Sequence, residues 1–483
     1  MAEYGPGARS GHGGVEATAR GRPAAGERRT ATLLVDPSPP RLPGRQRPAT
    51  RLSASAGATA TRERPGGPVA GRVAERPAER AATTTGTRGS GPARQGGYNP
   101  ALDGVRALAV LCVLVFHLDA LPGGYLGVDV FFVLSGFLIT GQLLAERDRT
   151  GGVSLTRFYT RRAYRLMPAF WLLALVGFTW VVVLGIGTAG ERDEFLDSLA
   201  SSMLYVNNYA QVVSQSTGAG WLGHTWSLSL EEQFYLLWPL LLILLCRRRW
   251  LARRLPAVLV CGVGAVALWR YLLVASGAPG TRTYFALDTR ADALLVGCAL
   301  AAGLRAARPG DGAHGEVAPA SAWQRRLDRA TPLLPLVGTA ALGLLAVATL
   351  TAPSAWGPGP TSLSYGGYTV VALLAGAVVL AVEQGARTSW LFRALAAPPL
   401  AWLGRISYGF YLWHFPVVAH WGKDLTRAFG RWPAVLVVGV ISVALAAASY
   451  YLVELPVQRR RPAGPRLRPL RAVRYEATDS AVR

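Results

Sequence analysis

From about residue 102 onward, long apolar runs alternate with short polar segments rich in arginine. An α-helix needs about 20 mostly apolar residues to cross the hydrocarbon core of a bilayer. Residues 98–456 therefore predict an all-α integral membrane protein, a bundle of about ten transmembrane helices. The predicted spans are 102–121, 125–145, 167–187, 226–246, 256–276, 291–306, 332–351, 368–386, 399–421 and 433–453.

The two ends of the chain differ from this pattern. Residues 1–97 are rich in Arg, Ala, Gly and Pro and almost lack aromatics, so they predict a disordered basic tail. No apolar stretch typical of a signal peptide follows their start. Residues 457–483 form a second basic tail.

The distribution of arginine predicts the orientation in the membrane. Every loop on the side of the tails is rich in arginine, whereas the opposite loops carry few positive charges. By the positive-inside rule, both termini are predicted to be cytoplasmic, in a multi-pass protein of the cell membrane. The segments on the arginine-rich side include RDRTGG, RFYTRRAYR, RRRWLARR, WQRRLDR and VQRRRP.

Composition supports this class and excludes others. The chain is 51% hydrophobic and only 16% charged, which is unlike an ordinary soluble domain. Its net charge of +23 fits membrane topology better than nucleic-acid binding, since no basic helix with interleaved aromatics appears. The four cysteines form no CxxC or Cys/His pair, and no HExxH, Walker A or GxSxG motif occurs. We therefore expect no metal, no disulfide framework and no nucleic-acid partner.

The first predicted helix carries two ionisable residues, in the run LDGVRALAVLCVLVFH. Eleven positions separate Arg106 from His117, which places them on nearly one face of a helix, about 16 Å apart along its axis. Ionisable groups inside a membrane helix are costly and are usually functional. The alternative is an interfacial arginine together with a histidine that is only hydrogen-bonded within the bundle.

A second candidate lies before the third predicted span, in RRAYRLMP. Arg162 and Arg165 are spaced i, i+3, so they share a face of a helix. Two neighbouring guanidinium groups suit a phosphate or pyrophosphate, which they can bind bidentately. The alternative is ordinary positive-inside charge.

Further polar residues lie within or beside apolar runs. Asp129 is predicted either to orient a histidine or to form an ion pair with an arginine. Glu231 and its neighbour Glu232 point about 100° apart, so at least one should face the interior. The remaining candidates are His224 before the fourth span, Arg290 in LDTRADALLVG, and His414 in ISYGFYLWHFP.

These motifs, in this order, resemble the acyltransferase 3 family of integral membrane proteins, which O-acylate sugars and related molecules. The resemblance covers about 98–460. It rests on LDGVRALAVLCVLVFH, GGYLGVDVFFVLSGFLIT, RRAYRLMP, HTWSLSLEEQFYLLWP, LDTRADALLVG, LGRISYGFYLWHFPV and VELP. Leu230 stands where the family often has valine, and Asp292-Ala293 stands where it commonly has an aromatic-Glu pair.

The resemblance implies a role for each candidate. An acyl-CoA donor, with acetyl-CoA favoured, would bind Arg106, Arg162 and Arg165. His117 would be the general base on the acceptor hydroxyl, oriented by Glu231 or Asp129. An acyl-histidine intermediate is the open variant. Arg290, His224 and His414 are assigned to acceptor binding.

The expected acceptor is a hydroxyl of a cell-envelope glycan or of a glycosylated small molecule. Many relatives carry an SGNH esterase-like domain after the helices. The chain ends at residue 483, soon after the last predicted span, so we expect a stand-alone member.

Two other classes of protein share some of these features. A transporter or flippase for a lipid-linked glycan would also contain intramembrane charges, but the motifs do not repeat between the two halves of the chain. A non-catalytic scaffold would leave the spacing of Arg106 and His117 unexplained.

Overall fold

The computed structural model of the protein describes residues 98–215, 220–307, 322–353 and 361–462. The predicted tail 1–97 and residues 463–483 lie outside this part of the chain. Within it the structure contains helices and no strand. The α-helices are α1 Pro100–His117, α2 Gly127–Thr150, α3 Leu155–Phe178, α4 Ala189–Met203, α5 Asn207–Ser214, α6 Trp226–Arg247, α7 Arg249–Arg253, α8 Leu255–Ala275, α9 Gly280–Phe285, α10 Leu287–Ala306, α11 Ala322–Ala330, α12 Leu334–Thr351, α13 Gly367–Gln384, α14 Trp390–Leu395, α15 Pro398–Arg405, α16 Ser407–Val417, α17 Lys423–Phe429, α18 Arg431–Ser449 and α19 Leu455–Arg459.

Among the residues that the structure describes, eight stretches of helix are long and apolar enough to cross a membrane. They correspond to eight of the ten predicted spans, and the prediction of an all-α integral membrane protein is confirmed. Leu236, Leu240 and Leu244 of α6 are exposed, as expected of a face that contacts lipid. The eight stretches are Pro100–His117, Gly124–Thr150, Leu155–Val183, Gly223–Arg247, Leu255–Ala275, Gln324–Thr351, Gly367–Gln384 and Arg431–Arg459.

The other two predicted spans have a different character. The span predicted at 291–306 is α10, which carries Asp288, Arg290 and Asp292 in its first two turns. This helix packs against α2, α8 and α13, so Arg290 and Asp292 lie inside the bundle and away from lipid, whereas Asp288 is partly exposed. The span predicted at 399–421 is divided into α15, α16 and a π-helical segment, Val418–Gly422.

Local sequence explains where α1, the helix that carries Arg106 and His117, begins. The Asn99 side chain accepts a hydrogen bond from the Ala101 amide at 3.1 Å, and Pro100 occupies the first helical position. Both residues are typical of a helix N-terminus, where amides lack partners within the helix. The resulting α1 packs against α2, α15 and α16 and forms the centre of the site.

Glycine allows a very close contact between α2 and α10 near the site. A Cβ atom on Gly136 of α2 would lie 1.9 Å from the Leu294 carbonyl oxygen of α10, and one on Gly297 of α10 would lie 2.0 Å from that of Val133. Only glycine fits at such separations. The Ser135-Gly136 pair therefore brings α2 and α10 together and leaves Ser135 free to serve the neighbouring cavity.

Candidate functional site

A cavity of about 540 Å³ lies between α1, α2, α3, α6 and α16. Its wall is rich in charge, which is unusual for the interior of a membrane protein. The charged residues that line it include Asp103, Arg106, Arg162, Arg165, Glu231 and Glu454. All three arginines assigned to donor binding thus face one space, together with one of the assigned carboxylates.

The arginines are held in different ways. Asp103 pairs with Arg106 one helical turn away, at 3.0 Å. The Arg162 guanidinium lies 4.1 Å from the centre of the Tyr235 ring, a cation–π contact. A smaller cavity of about 230 Å³ shares Arg162 and Arg165 with the first and is also lined by Arg161 and Arg461. The two cavities together expose a cluster of guanidinium groups suited to an anion with several phosphates.

Glu231 is part of a hydrogen-bonded chain. The Ser135 hydroxyl donates to Glu231 Oε1 at 2.6 Å, and Tyr235 donates to the Ser135 oxygen at 3.0 Å. Of the two adjacent glutamates, Glu231 lines the cavity. Neither Ser135 nor Tyr235 was among the predicted site residues.

Three histidines form a separate cluster at the other end of α1. His117 Nδ1 lies 2.9 Å from the Val113 carbonyl oxygen, one turn earlier in the helix, and 3.4 Å from His414 Nε2. His224 and His414 have ring centroids 5.6 Å apart. The structure therefore brings together His117, His224 and His414, which come from three distant parts of the sequence.

Tyr411 lies between this cluster and the cavity. It lines the cavity, its hydroxyl is 2.6 Å from the Ser227 hydroxyl, and it donates to the His224 carbonyl oxygen at 3.0 Å. Its own carbonyl oxygen is 2.6 Å from His414 Nδ1. Tyr411 thus links the charged cavity directly to the histidines, and it was not among the predicted site residues.

Asp129 and Arg290 lie apart from both features, as a buried ion pair at 2.8 Å. The Arg290 guanidinium also lies 3.9 Å from the centre of the Tyr368 ring. Within the described part of the chain, no hydrogen bond joins Asp129 or Glu231 to His117. Of the two alternatives for Asp129, the geometry favours the ion pair.

A second buried ion pair lies beside the first and joins Arg270 of α8 to Asp292 of α10 at 2.9 Å. Thr369 donates to the same Asp292 oxygen at 2.6 Å. Arg270 was not among the predicted site residues. The available signal was that it is the sole charged residue in the apolar run 256–276.

The fold and these contacts define a polytopic membrane protein with a charged interior cavity and a largely buried histidine cluster. The model of the acyltransferase 3 family, described as an acyltransferase domain, matches residues 99–451. The chain therefore belongs to this family, as its motifs predicted, and contains its acyltransferase domain.

Curated relatives agree with this assignment. The chain is 32% identical over 382 residues to a Listeria monocytogenes protein named peptidoglycan O-acetyltransferase OatA, covering 75% of this chain and 56% of that protein. It is 30% identical over 378 residues to O-acetyltransferase OatA of Staphylococcus aureus, covering 75% and 58%. A putative peptidoglycan O-acetyltransferase of Bacillus subtilis, YrhL, is 32% identical over 379 residues, with 75% and 55% covered.

The chain thus spans a little over half the length of the curated relatives it matches. No solved structure matches it significantly.

Proposed function

We propose that the protein transfers an acetyl group from acetyl-CoA to a hydroxyl of peptidoglycan or a related cell-envelope glycan. One observation carries this proposal: α1 presents Arg106 to a cavity rich in arginine and His117 to a histidine cluster. An anionic donor and a base for a hydroxyl are the two requirements of the reaction. The names of relatives from Listeria monocytogenes and Bacillus subtilis supply the acceptor.

The donor would be bound through its phosphates. Arg162 and Arg165 line both cavities, so a polyanionic nucleotide can contact them while the thioester arm extends toward Tyr411. Guanidinium groups bind phosphate oxygens bidentately and keep their charge when buried. Because the RRAYRLMP segment is predicted to lie on the cytoplasmic side, these residues would contact acetyl-CoA in the compartment where it is made.

The transfer step would use His117 as a general base. A hydroxyl is a weak nucleophile at neutral pH, so removal of its proton in the transition state accelerates attack. The acceptor oxygen forms a bond to the acetyl carbonyl carbon while its proton passes to the imidazole. The carbon–sulfur bond then breaks, and the thiolate of CoA takes the proton back from His117. The products are an acetyl ester and CoA-SH.

The test is acetyl transfer in proteoliposomes, with radiolabelled acetyl-CoA and a peptidoglycan oligosaccharide as acceptor. We expect label in the glycan with the wild-type protein, and at least a 100-fold slower transfer with His117→Ala, the lower end of the usual contribution of general-base catalysis. Arg162→Ala should raise the KM for acetyl-CoA. His420→Ala and Arg427→Ala are matched controls, because both residues are exposed and lie away from the cavity.

Each component can fail separately. Undiminished transfer by His117→Ala would exclude the general-base role. Transfer from another acetyl donor but not from acetyl-CoA would refute the assignment of the donor. Movement of an intact lipid-linked glycan across the bilayer without acetylation would favour a flippase instead.

A further inference from the structure

The contact between His117 and His414 allows the protons on both rings to be assigned. His414 Nδ1 lies 2.6 Å from the Tyr411 carbonyl oxygen, which can only accept a hydrogen bond, so Nδ1 carries the proton. In a neutral imidazole the other nitrogen then holds a lone pair. His414 Nε2, which faces His117, is therefore an acceptor.

The same reasoning applies to His117. Its Nδ1 lies 2.9 Å from the Val113 carbonyl oxygen, so Nδ1 carries a proton, which it also directs toward His414 Nε2 at 3.4 Å. The lone pair of His117 is then on Nε2. One assignment satisfies every contact of both rings, and it identifies Nε2 as the basic atom of His117.

We propose that His414 is a positioning residue for His117. Its Nε2 accepts a hydrogen bond from His117 Nδ1, and this bond fixes the His117 ring and stabilises the imidazolium that forms on His117 during transfer. The inference deepens the proposed function and depends on it for its catalytic consequence. The neutral imidazole of His414 would thus have the role that the buried carboxylate has in a Ser-His-Asp triad. A hydrogen bond from a charged donor is stronger than one from a neutral donor, so the contact strengthens when His117 becomes protonated.

The surroundings of His414 suit such a role. Its side chain is fully buried, and the Phe410 ring lies nearly parallel to it, with centroids 6.1 Å apart. Phe415 packs edge-on against His117 at 4.8 Å. Packing therefore limits rotation of both rings, so a hydrogen bond between them is not lost to side-chain motion.

The carboxylates expected to orient His117 have other partners. Ser135 donates to Glu231, and Arg290 pairs with Asp129. His224 contacts the same group of rings, but no hydrogen bond joins its ring to His117 within the described residues. His414 is thus the side chain positioned to accept from His117.

Two amide substitutions separate the two hydrogen bonds of His414. In His414→Gln the amide lies near the former Nε2, so its oxygen can still accept from His117. In His414→Asn the amide lies near the former Nδ1, so it can still donate to the Tyr411 carbonyl but does not reach His117. We expect kcat to fall about 10- to 100-fold in His414→Asn, as for loss of a hydrogen bond to a charged group, with the KM for acetyl-CoA unchanged.

His414→Gln should recover most of this loss. The same pair at His420, an exposed histidine of the following π-helical segment, is the matched control and should leave kcat unchanged. Thermal unfolding of both His414 variants reports on folding. Equal kcat for His414→Gln and His414→Asn, with both folded, would overturn the proposal.

A spectroscopic measurement tests the geometry without activity. In protein labelled with ¹⁵N-histidine, the six histidines can be assigned by single substitutions. We expect His117 and His414 each to carry the proton on Nδ1, and the His117 Nδ1 resonance to shift in His414→Asn more than in His414→Gln. A His117 proton on Nε2 in the wild type would overturn the proposal even if a variant does not fold. Wild-type protein that shows these resonances but transfers no acetyl group would instead refute the proposed function.

Discussion

The ion pair between Asp129 and Arg290 offers a direct test of whether these residues stabilise the fold or take part in the reaction. Both side chains are fully buried, and the pair is closed by one hydrogen bond of 2.8 Å. The perturbation is a cycle of Asp129→Leu, Arg290→Met and the double variant. Leucine and methionine retain much of the side-chain volume, so the cycle mainly removes charge.

The magnitude follows from what each change leaves behind. Asp129→Leu leaves a guanidinium that cannot lose its proton, and removing one partner of a buried pair costs about 3–5 kcal/mol. Contact with the Tyr368 ring offsets about 0.5–2 kcal/mol of this cost. Arg290→Met should cost less, because an isolated carboxyl group can take up a proton and become neutral.

The double variant leaves no unpaired charge. Replacement of a buried ion pair by apolar side chains of similar volume is often neutral or stabilising. We therefore expect the double variant to be more stable than Asp129→Leu alone, although it carries one more substitution. Unfolding in mixed detergent micelles, followed by the fluorescence of the 14 tryptophans, measures the free energy of unfolding of each form.

Activity of the double variant completes the test. Neither residue lines the cavity, so we expect the stable double variant to keep acetyl transfer. Loss of transfer with stability retained would instead support the predicted roles of Asp129 as an orienting carboxylate and of Arg290 in acceptor binding. If the effects of the two single substitutions on stability add in the double variant, the reasoning about the pair is wrong.

Two further predictions concern the cavity and the contact between α2 and α10. Arg165→Ala should raise the KM for acetyl-CoA about 10- to 100-fold. The KM for acetyl-pantetheine should stay unchanged, because this shorter donor lacks the nucleotide phosphates. Steady-state kinetics with both donors measure the two values, and Arg427→Ala, at an exposed position, is the control. An equal effect on both donors would contradict phosphate binding. Gly136→Val should lower the free energy of unfolding by about 1–3 kcal/mol, since a Cβ atom at this position would lie 1.9 Å from the Leu294 carbonyl oxygen. Gly141→Val is the control on the same helix. It should change the free energy of unfolding little, because a Cβ atom there has nothing within 4 Å. Equal stability of the two glycine variants in detergent unfolding would refute the argument.

Much of the site was predictable because its residues are costly in a membrane. Arg106, Arg162, Arg165 and Glu231 stand out in or beside apolar runs, and all four line one cavity. Their convergence follows from a physical rule: charges in a bundle avoid lipid and face inward. The family resemblance pointed to the same positions.

Other parts depend on packing that no local pattern encodes. Ser135, Tyr235 and Tyr411 are ordinary side chains in membrane helices, and only the arrangement of α2, α6 and α16 makes them neighbours of the charged groups. Likewise, hydropathy treats α10 as one more span, but its charged residues require that it be enclosed by protein. The break between α15 and α16 falls at Ile406, between Arg405 and Ser407, and no proline lies at the break itself.

The length of α1 has a consequence for the choice of donor. A single rigid helix fixes the separation between Arg106 and His117 at about 16 Å. A donor held by its phosphates at one end must therefore carry its reactive carbonyl on an extended arm of matching reach. Acetyl phosphate, in which the acetyl and phosphate groups are adjacent, cannot bridge the two ends. In the proposed reaction α1 would therefore select donors by their length, and inserting one helical turn between Arg106 and His117 should abolish transfer.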